Sequence, residues 1–280
     1  MPQRFFKYLL LIALCSPTLM AKDRLITLAP NLTELVCALG SCEDLVGVTE
    51  FCSFPQSVRS VAKVGGYMDP NPEIILAMKP TLILALPEHQ DVTARLKRLG
   101  LRVETIRNWN VADIFASIQK AGALLNKKEQ AAALTQRLKN DVKRLTRNRE
   151  KPIRCLVTLG HDVSNGMVKD AYIVGRKGFL YELLQMAGGE NVYQKDQPHF
   201  PKIGQETMIQ LNPDVIIDLV PQENPDQREL DKRKNAWAKI PHLTSVREGR
   251  YHIIHAEHVL QAGPRFTEIL AELVRILDAT

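Results

Sequence analysis

Short apolar runs alternate with amphipathic stretches along most of this chain, and the alternation predicts its elements. Arg24 to Leu28 is strand-like, and Pro30 and Asn31 then turn the chain into a helix over about 32–39, with Asn31 as its cap and Gly40 as its stop. Leu45 to Val48 is a second strand. Pro72 to Met78 is a short helix with proline in its first turn, followed by a strand from Thr81 to Ala85. A helix from Asp91 to Leu99, a strand from Leu101 to Thr105 and a helix from Val111 to Leu124 complete the first half. Strands separated by helices imply a mainly parallel sheet covered on both faces.

Residues 127–151 break this rhythm. The stretch has neither Pro nor Gly, and Leu134, Leu138, Val142 and Leu145 recur at spacings of four, four and three, on one helical face. At 1.5 Å per residue such a helix spans roughly 35 Å and can act as a strut between two lobes. After Pro152 the alternation resumes: a strand from Ile153 to Leu159, helices from Phe179 to Ala187 and Gln205 to Leu211, a strand from Asp214 to Leu219, a charged helix over about 225–238, a strand from Arg250 to Ile254 and a last helix from Pro264 to Leu277. The predicted fold is α/β: two Rossmann-like lobes, 22–126 and 151–280, each with a central mainly parallel sheet, joined by one long rigid backbone helix over 127–150.

The two halves also echo one another. Glu73 to Pro80 followed by Thr-Leu-Ile-Leu parallels Glu206 to Pro213 followed by Asp-Val-Ile-Ile, each a short helix led by a carboxylate and closed into a strand. Likewise Leu32-Thr-Glu-Leu-Val-Cys-Ala-Leu-Gly40 parallels Leu180-Tyr-Glu-Leu-Leu-Gln-Met-Ala-Gly188. Two matches in the same order point to homologous lobes.

Charge and cysteine change the picture at the N-terminus. Met1 to Ala21 has a cationic start at Arg4 and Lys7, an apolar run from Tyr8 to Cys15 and a small residue at Ala21, the pattern of a cleaved signal peptide. Lipid attachment at Cys15 ranks second, because Leu14 is bulky where processing wants a small residue. Removing the leader takes two positive charges from the net +6 of the chain. Much of the rest lies on the polar face of the connector, at Arg137, Lys139, Lys143, Arg144, Arg147 and Arg149, where the absence of interleaved aromatics favours a solvated face over a nucleic-acid surface. In an oxidising compartment, one bridge among Cys37, Cys42 and Cys52 is expected, with Cys155 a buried thiol in its strand.

Signatures of catalysis are missing. Val64-Gly65-Gly66 lacks the rest of a dinucleotide loop, and the segment Gly160 to Gly166 lacks a Lys-Ser/Thr tail. His161, Asp162 and Ser164 are better explained by a turn closing a strand than by a hydrolytic set, although an exported α/β enzyme remains the alternative of another class. His252 and His255 would point to opposite faces of a strand, so no metal site is expected, whereas His89 and His199 sit in loops where ligand-contacting side chains gather.

Arg24-Leu-Ile-Thr-Leu-Ala-Pro-Asn-Leu-Thr-Glu34, Val46-Gly-Val-Thr49, Val64-Gly-Gly66 with Asn71-Pro-Glu-Ile-Ile-Leu-Ala-Met-Lys-Pro80, and Ala187-Gly-Gly-Glu-Asn-Val192 together resemble the periplasmic solute-binding proteins of ABC importers, in the helical-backbone class for cobalamin, haem and ferric siderophores. The resemblance covers essentially the whole mature chain. It implies a monomeric, non-enzymatic receptor with no cofactor of its own, a metal chelate held in a cleft between the lobes, and delivery to a permease dimer in the inner membrane. It also implies that Glu73 and Glu206, one per lobe, dock onto the two permease subunits. Nucleic acid is not an expected partner.

For the ligand, the resemblance places Phe51, Tyr67, Leu86, Phe200, Glu257 and His258 at positions where cobalamin binders carry aromatic side chains. Three remain aromatic, and a corrinoid packs against such faces. Met68 stands where some haem-binding relatives carry an axial ligand, and Arg176, Tyr172 and Arg265 are candidates for a ferric siderophore. The expected contact set is therefore Phe51, Tyr67, Met68, His89, His199, Phe200, Glu257 and His258, with cobalamin or a related corrinoid as ligand and haem or a ferric siderophore as the alternative.

Overall fold

Strands β1 (Leu25–Thr27) and β3 (Leu82–Ala85) are buried at every position in the computed structural model, which describes residues 23–196 and 200–280. They are the middle of a four-stranded sheet whose outer strands are β2 (Leu45–Val48) and β4 (Val103–Thr105), in the order β2-β1-β3-β4. All pairings are parallel. Helices α1 (Pro30–Ala38), α2 (Pro72–Ala77), α3 (Gln90–Arg98) and α4 (Val111–Leu124) make the crossovers and cover the faces, which is why these strands read as continuous apolar runs. The leader expected over 1–21, and Cys15 with it, lies outside the described residues.

The second lobe repeats this plan and adds to it. Its strands are β5 (Ile153–Ser164), β6 (Met167–Ile173), β7 (Gly189–Asn191), β8 (Lys202–Gly204), β9 (Val215–Val220) and β10 (Tyr251–His255). Strands β7, β5, β9 and β10 are parallel neighbours in that order, which reproduces β2-β1-β3-β4. The additions are the antiparallel strands β6 and β8 beyond the far end of β5. Its helices are α6 (Phe179–Met186), α7 (Gln205–Leu211), α8 (Gln227–Ala238), the single turn α9 (Thr244–Arg247) and α10 (Phe266–Asp278).

The sequence repeat is a structural one down to the backbone. Lys79 and Asn212, six residues after Glu73 and Glu206, both take left-handed φ values, 47° and 40°, directly before Pro80 and Pro213. Gly40 and Gly188, which end the other repeated segment, have φ of 79° and 82°. Two matched pairs of left-handed positions, one pair at non-glycine residues, are not expected of helix ends that merely share composition.

The connecting helix α5 runs over Lys128–Leu145, shorter than the stretch from 127 to 150, because Thr146 leaves helical geometry with ψ of 134°. Eighteen residues span roughly 27 Å. It packs against α4 on one side and α10 on the other. At the α4 contact a side chain on Gly122 would clash with the Ala131 Cβ, so only glycine permits that approach. Leu134, Leu138 and Leu145 are buried as their spacing requires, within one apolar cluster that runs from Leu32 and Leu84 of the first lobe to Leu183 and Leu270 of the second. A shared core resists relative motion of the lobes. Beyond the helix, Arg147 and Arg149 both reach Asp278 at the end of α10, so part of the basic face is occupied within the fold.

Three local expectations are corrected. Asn31 does not cap α1: Ala29 is the capping residue and Pro30 the first helical one, while the Asn31 side chain donates to Ala262 O of the other lobe. The strand read to Leu159 continues to Ser164 and pairs with β6, which was not foreseen. Arg265 is structural, bonded through both Nε and Nη2 to Glu34. The cysteine bridge is Cys37–Cys42, and Cys52 and Cys155 are buried thiols. Burial pushes the Cys155 thiol up to about 12.

Candidate functional site

In open α/β sheets, ligands bind beyond the carboxyl ends of the strands, and both lobes offer such loops to a common cleft of about 1000 Å³. That is the upper end of the range for small-molecule sites, about 300–1,000 Å³. From the first lobe come Pro30 and Asn31 after β1, Phe51 and Tyr67 after β2, Leu86 and Glu88 after β3, and Asn108 and Trp109 after β4. The second lobe supplies Phe179 at the start of α6, Phe200 and the Leu260–Ala262 turn.

Five aromatic rings therefore face one space: Phe51, Tyr67, Trp109, Phe179 and Phe200. Phe51, Trp109 and Phe200 are 63%, 53% and 49% exposed, unusual for large apolar side chains without something to cover them. Between them the lobes touch. Asn31 Nδ2 and Asn108 Nδ2 both donate to Ala262 O, at 3.1 and 2.8 Å, and Phe179 N donates to Trp109 O at 2.9 Å.

The polar lining carries one carboxylate, Glu88, and one lysine, Lys177, beside the amides of Asn31, Gln90, Asn108 and Gln261. Glu88 Oε1 accepts the Tyr67 hydroxyl at 2.6 Å, and Gln261 Oε1 is buried with no hydrogen-bond partner. Lys177, the lone cation of the lining, is 2.8 Å from Asp196. No arginine lines the cleft among the described residues. Burial, reinforced by the hydrogen bond and charge of Glu88, pushes the Tyr67 phenol far above its ordinary value, so it stays protonated.

Of the expected contact residues, the structure brings Phe51, Tyr67 and Phe200 together, with Leu86 among the lining. Met68 is exposed but outside the lining. His89 is buried behind Tyr67, edge-on to its ring at 5.0 Å, and its Nδ1 accepts Leu86 N at 3.1 Å. It braces the tyrosine instead of facing the cleft. His258 turns away toward α10, 3.2 Å from Glu268 Oε2. Glu257 is a lobe-to-lobe contact, accepting from Ser53 Oγ at 2.7 Å. His199 lies outside the described residues. Tyr172 sits under Lys202, and Arg176 donates to Gln194 O; neither lines the cleft. Among the described residues no group of three or more His, Cys, Asp or Glu is placed to hold a metal ion.

Trp109, Phe179, Glu88 and Gln261 were not foreseen. The signal for Trp109 was available: Asn108-Trp109-Asn110 directly follows a parallel strand, where a large apolar side chain has no core to enter.

The buried histidines carry a consequence for stability. Burial lowers the affinity of His89 for a proton against the opposing pull of Glu88; it does the same for His161, which faces Asp218, Asp162 and Arg233, and for His252, beside Arg275. The unfolded chain therefore binds protons more readily as pH falls through about 6.5, and stability drops with it. Thermal unfolding between about pH 7.5 and pH 5.5 is expected to show a falling Tm, flattened in the double variant His89→Asn, His161→Asn; an equal fall in both proteins would assign the loss to other groups.

Comparison with known proteins agrees with this geometry. A family model described as periplasmic binding protein matches residues 25–255. An uncharacterized ABC transporter substrate-binding lipoprotein of Bacillus subtilis (strain 168), YvrC, is 27% identical over 262 residues, covering 89% of this chain and 78% of that protein. A vitamin B12-binding protein of Yersinia pestis (strain Pestoides F) is 26% identical over 212 residues, covering 74% and 73%. The periplasmic haem-binding protein HutB of Vibrio cholerae shares the fold, with a TM-score of 0.77 at 20% identity over 92% of this chain and 99% of that one.

Proposed function

The chain belongs to the periplasmic binding protein family, and on that premise we propose that it captures a corrinoid such as cobalamin and delivers it to the permease of an ABC importer. It is a binding protein, not an enzyme. Its leader directs it out of the cytoplasm, and among the described residues no helix is long and apolar enough to cross a membrane.

One observation carries the choice of ligand: the cleft pairs an aromatic lining with the Glu88 carboxylate and, among the described residues, no arginine and a single lysine that is paired with Asp196. A corrin ring is a broad apolar plate edged with neutral carboxamides, whose N–H groups suit the Glu88 carboxylate. Haem carries two propionates and a ferric catecholate several negative charges, which ask for arginines or lysines. Haem also asks for an axial ligand from the protein; of the described lining residues only Tyr67 has suitable chemistry, and its proton is held for Glu88. A corrinoid can bind without one. Glu73 and Glu206, exposed on α2 and α7, serve as the permease contacts.

Titration with cyanocobalamin and with haem, followed by visible absorption, tests the ligand. One-to-one corrinoid binding, at least tenfold tighter than haem, is expected; the reverse order with a ferric tyrosinate spectrum would overturn it. Trp109→Ala is expected to weaken the corrinoid by about tenfold, the worth of about 1–1.5 kcal/mol for an aromatic face contact.

A further inference from the structure

We propose that Glu88 is the charge-selecting residue of the cleft, a fixed carboxylate that admits macrocycles with amide edges and rejects those with carboxylate edges. The inference rests on the corrinoid reading and goes beyond it, because it assigns discrimination to one side chain.

The fixing is built from three contacts. His89 is buried, with Nδ1 tied to Leu86 N. Its ring meets that of Tyr67 edge-on and so holds the phenol in place. The hydroxyl then donates to Glu88 Oε1 at 2.6 Å, which pins the carboxylate at the cleft and leaves its second oxygen to the ligand. No cation lies within ion-pairing distance of Glu88 among the described residues, whereas Lys177, the other charged residue of the lining, has Asp196. The lining thus presents one uncompensated negative charge.

That charge acts in two ways on a ligand. It accepts a charge-assisted hydrogen bond from a carboxamide N–H, which is stronger than a neutral one. It repels a carboxylate at the same place, by an amount that remains appreciable at the effective dielectric of a half-open cleft. It further opposes ionisation of Tyr67, so ferric iron gains no phenolate ligand from the rim. The rings bind flat apolar surface of either kind; Glu88 tells the edges apart.

The test uses matched ligands that differ only at the edge: cyanocobalamin against its monocarboxylic acid derivatives, and mesoporphyrin against its dimethyl ester, both without iron. The wild-type protein is expected to prefer the amide and the ester. Glu88→Gln keeps an acceptor for Tyr67 and removes the charge, so each preference is expected to shrink by about fivefold to tenfold; Glu88→Lys is expected to invert it. Added salt should narrow the gap in the wild type and not in Glu88→Gln. Preferences that stay within about twofold across the three proteins overturn the inference. If cyanocobalamin fails to bind but the porphyrin pair responds, the corrinoid reading falls and the charge filter stands. Cyanocobalamin binding with unresponsive pairs sinks the filter alone, and binding of neither macrocycle overturns both.

Discussion

Reversing the charge of Glu73 and Glu206 together is expected to abolish ligand uptake, by about a hundredfold or more, while leaving the Kd for the ligand unchanged. Each carboxylate stands in the first turn of a short helix, where the helix dipole favours negative charge. Asn71 fixes the start of α2 by accepting from Glu73 N and Ile74 N, and the left-handed residues Lys79 and Asn212 end the two helices alike before equivalent strands. The internal symmetry of the lobes thus presents two like charges in like settings, as a two-subunit partner requires. Neither charge is needed within the fold. Glu73 has only Arg95 at 3.9 Å, with both side chains mostly exposed, and such a pair is worth little; Glu206 makes no ion pair among the described residues. Each single reversal is expected to give an intermediate loss. The measurement is transport of labelled ligand into cells carrying the variant receptor, beside equilibrium binding on the purified protein. Wild-type uptake by the double reversal would remove these residues from the docking surface, and a parallel loss of ligand binding would show that the fold had been disturbed.

Much of this architecture is legible in the sequence because it is repeated. The spacing of Leu134, Leu138 and Leu145 marks the connecting helix, and the matched segments ending at Gly40 and Gly188 mark equivalent first helices. Local pattern suffices where one face of an element is buried and the other is wet. It fails at the β5–β6 hairpin, whose only strong signal is Asn165-Gly166, with φ of 53° and 70°, the turn pair that joins antiparallel strands. It fails again in the cleft. The resemblance to cobalamin binders picks out Phe51, Tyr67 and Phe200, but whether a histidine beside them faces the ligand depends on which side-chain partners it finds in the fold. His89 is pulled behind Tyr67 by the Leu86 amide, and His258 is drawn to Glu268 on α10. Neither contact, a backbone amide three residues upstream or a carboxylate on the next helix, leaves a mark in hydrophobic periodicity.

Removing the Glu34 carboxylate is expected to be among the most damaging single changes in the chain, because it strands a charge between the lobes. Glu34, on α1 of the first lobe, is buried and takes both Nε and Nη2 of Arg265, the residue just before α10 of the second lobe. The guanidinium also stacks on Phe54, its carbon 3.8 Å from the ring centroid. With its side chain 18% exposed, Arg265 cannot recover full hydration when the partner is lost. Breaking such a pair costs about 3–5 kcal/mol, enough to remove much of the stability of an ordinary domain. The equivalent residue in the repeat offers an internal comparison. Glu182, on α6 of the second lobe, reaches back to the first and accepts Val111 N at the start of α4 at 2.8 Å. The two lobes are thus strapped by the same position of the same helix in opposite directions, but only one strap holds a buried cation. Glu182→Ala gives up a helix-start acceptor, worth about 1 kcal/mol. Urea unfolding should therefore rank Glu34→Ala well below Glu182→Ala, and the paired change Glu34→Leu with Arg265→Leu should recover most of the loss, since apolar groups can replace a buried ion pair at little cost. Equal losses at Glu34 and Glu182, or no recovery in the paired variant, would place the stability of the lobe junction in the shared apolar core around α5 instead of in its charged strap.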